Sequence, residues 1–531
     1  MGVTLSLTGM RAWHSFDGLN STEQIKSYRP GYREVAGLCA LTVAGVAIHG
    51  YHLGIEDQAI YLPAILRHLD PSLFPRDAYF FEAQTRPMLL DEMVAGFVRL
   101  THVPVAWSLF GFHLLTIFLL LLACYRIARR CFDKPEATWA GVAMITGMLT
   151  LPIAGTAQYI ADQYLHPRAL ATALVLIPLA NLLPVHGRMR GLRAFAWCFL
   201  YFLLAAIFHF QMALFGAALW IFLVIPWERW LPAMGHVALA IVPIPIIGKL
   251  LEPGSPAWQE AARTRSQHYL LRWEWYEWLG IIAPMLLLWW FASIAEKRGL
   301  NVASWLSRRI ALFGVLALFG GAALVLPPTL ERLTPYQPMR IFILIYIFLL
   351  LLGGGLLGEF LLRRVAWRWL VLFIPMAVGM FFAERALFPA SPHVELPGVI
   401  FRNDWTDAFL WVRSNTPKDA FFALNPHYLS EDGEDYHGFR AWAQRGQMAD
   451  LDKDPGVVSL VPALAPEWQR QVHALNGWNQ FTAKDFLRLR LDFGVDWVVL
   501  ERKISGDGER HLPENLDCPY QNPSVTVCKI K

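Results

Sequence analysis

Charge is scarce in this chain of 531 residues: Asp, Glu, Lys and Arg together make up 17% of it, against roughly 25% in a soluble domain. With 55% hydrophobic residues and a mean hydropathy of +0.37, that shortage excludes an ordinary soluble protein and indicates many membrane spans. The net charge is only +4, which argues against nucleic acid as a partner, since such binding needs a strongly basic surface. There is no His-Glu-x-x-His zinc motif, no nucleophile elbow, no phosphate-cradling Gly loop and no Cys pair at metal spacing. Internal repeats and low-complexity tracts are missing too. The first 35 residues have no apolar core beside a small-residue cleavage site, so no cleaved signal peptide is expected and Val35 onward acts as an anchor.

What is plentiful is apolar and aromatic: 34 Phe and 22 Trp suit interface belts. Apolar runs of spanning length fall near 36–54, 104–124, 138–155, 169–185, 232–250, 278–295, 310–327, 341–361 and 367–383. The run 194–227 is too long for one helix of roughly 20 residues, and His209-Phe210-Gln211 in its middle marks a hairpin tip, giving about eleven spans. Counted so, the clusters Arg126/Arg129/Arg130, Arg188/Arg190/Arg193, Lys297/Arg298/Arg308/Arg309 and Arg363/Arg364/Arg368 all fall on one side. Arg11, Lys26, Arg29 and Arg33 join them, and the positive-inside rule makes that side cytoplasmic.

The expected fold is an α-helical polytopic membrane protein with a C-terminal soluble α/β domain. Residues 1–35 form a cytoplasmic segment, 36–384 the membrane domain with a large outer loop at 55–103, and 385–531 the extracytoplasmic domain. In that domain Asp404–Asn415 reads as a helix, and Ala420–Leu424, Asp496–Glu501 and Val525–Ile530 read as strands. Cys39, Cys124 and Cys198 lie in apolar runs, as small buried residues do. Cys518 and Cys528 lie in an oxidising compartment, which predicts a disulfide, the alternative being two free thiols.

The unusual polar residues share the outer face. Loop one opens with Glu56-Asp57 and also carries Asp77, Glu82, Asp91 and Glu92, with 58–69 and 83–101 patterned as interfacial helices. Loop two reads Gln158 to Arg168 and includes Asp162 and His166; the hairpin tip adds His209 and Gln211. Loop four brings Arg263, Arg265, His268 and Arg272, and loop five ends at Arg340. Each has a plainer account: the acids as a solvated helix start, His209 as an interfacial histidine, Arg340 snorkelling to lipid phosphates, and Trp273 to Trp278 as an interface belt. Together they are what an anionic lipid substrate needs. A carboxylate takes a proton from an acceptor hydroxyl, and arginines hold a phosphate. The set read as substrate-binding is Asp162, His166, Arg168, His209, Gln211, His268 and Arg340.

On a first span followed by Glu56-Asp57, a long outer loop, about eleven spans and an outer C-terminal domain, the chain resembles the GT-C superfamily of membrane glycosyltransferases. The resemblance implies sugar transfer from a polyprenyl-phosphate-linked donor to an envelope glycan, lipid or protein acceptor, with Asp57 or Glu56 as the catalytic carboxylate. The residues of the other loops match no family-wide motif, and Gln58 after the acids leaves the subfamily and the sugar open. No cofactor is fixed by the sequence, which leaves the metal requirement open; carboxylates such as Asp57 could hold a divalent cation by oxygen ligation. Two other readings stand: a transporter or flippase of lipid-linked saccharide, which would place charges at the bilayer midplane rather than at span ends, and a non-catalytic envelope assembly protein.

Overall fold

The apolar runs become helices of unequal length. The computed structural model describes residues 30–183, 192–225, 253–399, 403–504, 508–509 and 512–531. Among these, six helices are long and apolar enough to cross a membrane: Val105–Cys131, Ala196–Val224, Trp275–Lys297, Asn301–Val325, Pro328–Leu362 and Ala366–Leu387. The chain is a multi-pass membrane protein, but the count of eleven spans is not reached.

The differences have local causes. The expected span 36–54 is the helix Tyr32–His49, which stops at Gly50 with φ 84°. A Cβ there would lie 2.5 Å from the His393 carbonyl oxygen, so the left-handed turn and the close approach both call for glycine. Cys39, expected to be buried, is exposed on this helix. The expected spans 138–155 and 169–185 are shorter helices, Pro135–Thr146 ending at Gly147 and Pro167–Leu176 followed by Pro178. An apolar run reads alike in a span and in a helix buried by its neighbours. The expected span 232–250 lies outside the described residues. The run 194–227 is one stretch of helical hydrogen bonding, Leu192–Val224, broken at His209, whose backbone is extended (φ −157°, ψ 94°).

Close packing holds the membrane body together. A Cβ on Gly141 would meet the Leu351 carbonyl oxygen at 2.6 Å, and one on Gly354 would meet that of Ala140 at 2.7 Å. Helices Pro135–Thr146 and Phe342–Leu357 therefore touch backbone to backbone, as small residues permit.

Residues 58–101 form three helices, Gln58–Leu69, Tyr79–Thr85 and Leu90–Thr101. The first is not interfacial as expected: every residue from Gln58 to Leu66 is buried, its apolar side packing with Ala441 and Val457 of the C-terminal region. The stretch 83–101 is interrupted between Thr85 and Leu90, where Pro87 stands.

The C-terminal region carries a five-stranded sheet in the order β2-β1-β3-β7-β6, with strands β1 (Phe421–Ala423), β2 (Gly446–Gln447), β3 (Trp497–Glu501), β6 (Leu516–Gln521) and β7 (Val525–Ile530); β4 (Lys503–Ile504) and β5 (Gly508–Glu509) make a separate ribbon. Strands β2, β1 and β3 pair in parallel, and β3, β7 and β6 antiparallel. Alternate residues face opposite sides: Phe422, Val499 and Val527 pack on the helix Asp404–Asn415, and Phe421, Val498 and Leu500 pack on Phe486 and Leu489. A disulfide joins Cys518 to Cys528 between β6 and β7. Strand β6 and the helices Asp454–Leu460, Ala465–Ala474 and Ala483–Phe493 add to the elements expected from sequence.

Sheet domain and membrane body are joined along residues 50–57. Tyr51 bridges to Val394 and Ile55 to His437, and the Trp442 indole donates to the Leu53 carbonyl at 2.9 Å. Arg440 of the sheet domain donates to Asp77 at 2.6 Å and to Asp454 at 2.8 and 3.1 Å, all three side chains buried.

Candidate active site

The turn that ends the first helix delivers the acidic pair. Gly54 (φ 74°) and Glu56 (φ 50°) are both left-handed, a conformation uncommon for a glutamate and held here by the Glu56 N–H donating to the Tyr436 carbonyl at 3.1 Å. Asp57 is the N-cap of Gln58–Leu69, yet its side chain makes no capping bond. It is therefore not an ordinary solvated helix start. Its carboxylate, 41% exposed, reaches His166 and Lys453 instead.

Loop two supplies the partner. His166 is the N-cap of Pro167–Leu176, and its Nδ1 accepts from the Arg168 N–H at 3.0 Å. With Nδ1 accepting, the neutral ring carries its proton on Nε2, which donates to Asp57 Oδ2 at 3.2 Å. Tyr61 packs edge-on against the ring, centroids 5.3 Å apart. Arg168 donates to both oxygens of Asp162 at 2.8 and 2.6 Å, and the pair is buried.

The remaining candidates separate. His209, at the helix break, has its ring 6.4 Å from that of His166. Arg340 donates through Nε to Gln337 at 2.6 Å and is close enough to Asp57, Arg168 and Arg265 for their charges to interact. His268 is buried beside Arg340 and Arg265; burial first, then these two charges, pushes its imidazole down to about 3, so it is neutral. Gln211 is tied to the Tyr336 carbonyl. Arg263 pairs with Glu331, and Arg272 donates to the Arg263 carbonyl. In the aromatic run, Trp275 and Tyr276 are exposed while Trp273 packs on Gly155.

One residue had no signal in the sequence. Lys453 of the sheet domain places its ammonium against Glu56 and 3.4 Å from Asp57 Oδ1. Its N–H donates to Asp450 Oδ1 at 2.6 Å, and its carbonyl accepts from Arg265 at 3.3 Å. Burial works against this charge, but Glu56 and Asp57 outweigh it and hold the ammonium protonated. Burial alone would raise Asp57; Lys453, then His166 and Arg265, pull its carboxyl well below the usual carboxylate range. Asp57 is thus an ionised carboxylate facing a group of cations. Around it Arg168 Nη1, Arg265 Nε and His268 Nδ1 have no hydrogen-bond partner among the described residues.

Among the described residues, one group of three could hold a metal ion: His68, Asp91 and Glu92, whose donor atoms lie within 4.8 Å of one another. It sits at the opposite end of the helix Gln58–Leu69 from Asp57.

Residues 403–474 match a family described as "Domain of unknown function (DUF6798)". No curated protein matches the chain. Among solved structures the chain is similar to the oligosaccharyltransferase of Archaeoglobus fulgidus in complex with Zn and sulfate, at 12% identity over 87% of this chain and 67% of that one, with a TM-score of 0.43. For the apo form of that protein the figures are 12%, 90%, 70% and 0.41. The arabinofuranosyltransferase AftD from Mycobacteria matches at 16% identity over 95% of this chain, with a TM-score of 0.49; the chain spans 42% of its length.

Proposed function

We propose that the chain transfers a sugar from a polyprenyl-phosphate-linked donor to a glycan, lipid or protein acceptor on the extracytoplasmic side of the cell membrane. The observation that carries this reading is an ionised carboxylate, Asp57, with Lys453, Arg265, Arg168 and Arg340 close enough for their charges to interact with it or with one another. Several donors there lack a protein partner. Leaving a buried donor unsatisfied costs about 1–3 kcal/mol, and phosphate oxygens accept from guanidinium groups in strong charge-assisted bonds.

For a hydroxyl acceptor the roles are these. Asp57, oriented by His166, takes the hydroxyl proton as the acceptor oxygen bonds to the anomeric carbon. The bond from that carbon to the donor phosphate breaks, and the phosphate leaves with the electron pair. Arg340, Arg265 and Arg168 stabilise the negative charge that develops on it. The N-terminus lies in the cytoplasm and the sheet domain outside, where a lipid-linked donor presents its head group.

The test is transfer of labelled sugar by the purified protein in proteoliposomes, supplied with a panel of polyprenyl-phosphate sugars. Transfer by the wild type that is lost in Asp57→Asn supports the reading; full transfer in both Asp57→Asn and Glu56→Gln removes the acidic pair from the chemistry.

A further inference from the structure

Two adjacent carboxylates at a phosphate-handling site suggest a divalent cation, so the donor set of Glu56 and Asp57 can be tested for one. Such an ion takes about six oxygen ligands at 2.0–2.6 Å, and the pair offers at most four carboxylate oxygens. Three of these already face protein donors: Lys453 Nζ stands against Glu56 Oε2 and 3.4 Å from Asp57 Oδ1, and His166 Nε2 is 3.2 Å from Asp57 Oδ2. The position that touches both carboxylates is filled by an ammonium whose side chain is 9% exposed. Arg265, which interacts with both Asp57 and Lys453, adds further positive charge. The residues present do not fit a divalent ion between Glu56 and Asp57.

We propose that Lys453 takes the place of that ion: an ammonium fixed by the sheet domain holds the two carboxylates and makes the site independent of divalent cations. Several contacts fix it. The Lys453 N–H and the two that flank it, of Asp452 and Asp454, all donate to Asp450 Oδ1, at 2.6, 3.0 and 3.0 Å. The next residue, Asp454, is locked to Arg440, which also grips Asp77 on the same loop that carries the acidic pair. The ammonium is therefore delivered from one part of the chain to another with little freedom. Lys453 lies within the segment 403–474 that matches the domain family, so a part of the chain outside the membrane body completes the site. Its role is positional: it places and neutralises the carboxylates and touches no reacting atom.

The catalytic side of this inference rests on the transferase reading, whereas the cation side does not. The deciding experiment is therefore a Mn²⁺ titration of the full-length protein in detergent, followed by electron paramagnetic resonance. Lys453→Met is expected to bind one more Mn²⁺ per chain than the wild type, and that gain should vanish in Glu56→Gln/Lys453→Met. Comparing the variants cancels Mn²⁺ held elsewhere, including at His68, Asp91 and Glu92. A wild type that loses one bound Mn²⁺ on Glu56→Gln overturns the proposal, as does a folded Lys453→Met that gains none; the first comparison stands even if Lys453→Met fails to fold. In the transfer assay the wild type should be unaffected by EDTA, and transfer that EDTA stops and Mn²⁺ restores also overturns the proposal. If the wild type transfers no sugar from any donor, the transferase reading fails and the Mn²⁺ titration still decides this one.

Discussion

His437 Nε2 lies 3.0 Å from Oε1 of Glu395, with neither side chain open to solvent. The same oxygen is 2.8 Å from His52 Nδ1, and Oε2 accepts from the Leu53 N–H at 3.0 Å. One carboxylate from the linker after the last membrane helix thus ties the sheet domain to the segment that leads into Glu56 and Asp57. The acidic pair is held from both sides.

This clamp should be visible in stability. Burial alone would raise Glu395, but His437 and His52 hold it down to about 2, while Glu395 raises His437 against burial. A depressed carboxyl stabilises above its unfolded value of about 4.3 and loses that as pH falls through its folded value; a raised imidazole stabilises below about 6.5 and loses that as pH rises through its folded value. Both act together between about pH 4.3 and 6.5. Glu395→Gln should cost about 3–5 kcal/mol in that window, as breaking a buried pair does. Thermal unfolding followed by tryptophan fluorescence checks it: the deficit should shrink towards pH 3 and towards pH 8.

Asp57→Asn keeps the volume and removes the base, so transfer should fall by about 10²–10⁴ with expression unchanged. Rates in membranes, normalised to protein amount, give the answer. Glu56→Gln should fall less, because Glu56 meets the ammonium and not the His166 ring.

Arg340→Lys should damage transfer although it keeps the charge, because an ammonium cannot reproduce the planar fork on a phosphate. Its Nε bond to Gln337 is also lost. Measured as kcat and KM for the lipid donor, the loss should fall on both. A variant with wild-type constants removes Arg340 from the phosphate site.

The pH–rate profile should report Lys453. Because Lys453 leads the groups that depress Asp57, the wild type should show no acid limb from this carboxyl above its unfolded value of about 3.9. In Lys453→Met burial dominates and the limb should move up. A limb that stays in place on this substitution contradicts the assignment of Asp57 as base or of Lys453 as its main partner.

A reporter active only in the cytoplasm, fused after Lys531, should be silent, as an outer sheet domain demands. Activity there would place Asp57 and its cations on the cytoplasmic side and end the case for a lipid donor presented outside.

What the sequence made legible was local. An acidic pair straight after an apolar run marks Glu56 and Asp57, because charge is costly there without a purpose. The polar stretch from Gln158 to Arg168 stands out for the same reason, and the structure brings His166 of that stretch to Asp57. Lys453 could not be read, because a lysine among aspartates in a soluble segment is commonplace and only docking of the sheet domain selects it. The count of about eleven spans is not confirmed among the described residues, where apolar runs such as that at Pro135–Thr146 form short helices buried by protein; hydropathy does not distinguish lipid from neighbouring helices. At His209 a polar residue in a long apolar run was read as a hairpin tip, whereas the structure keeps Leu192–Val224 as one helical stretch broken at that residue.

The pairing of Glu56 with Lys453 joins positions 397 residues apart, which gives the site an order of assembly in time. At about 5–20 residues per second, synthesis takes roughly 20–80 s to pass from one to the other. Through that interval every membrane helix downstream of the acidic pair is made and inserted while the two carboxylates face each other without their ammonium. Docking of the sheet domain, which is made after the membrane helices, supplies it. Until that segment is made, Glu56 and Asp57 lack the ammonium that holds them.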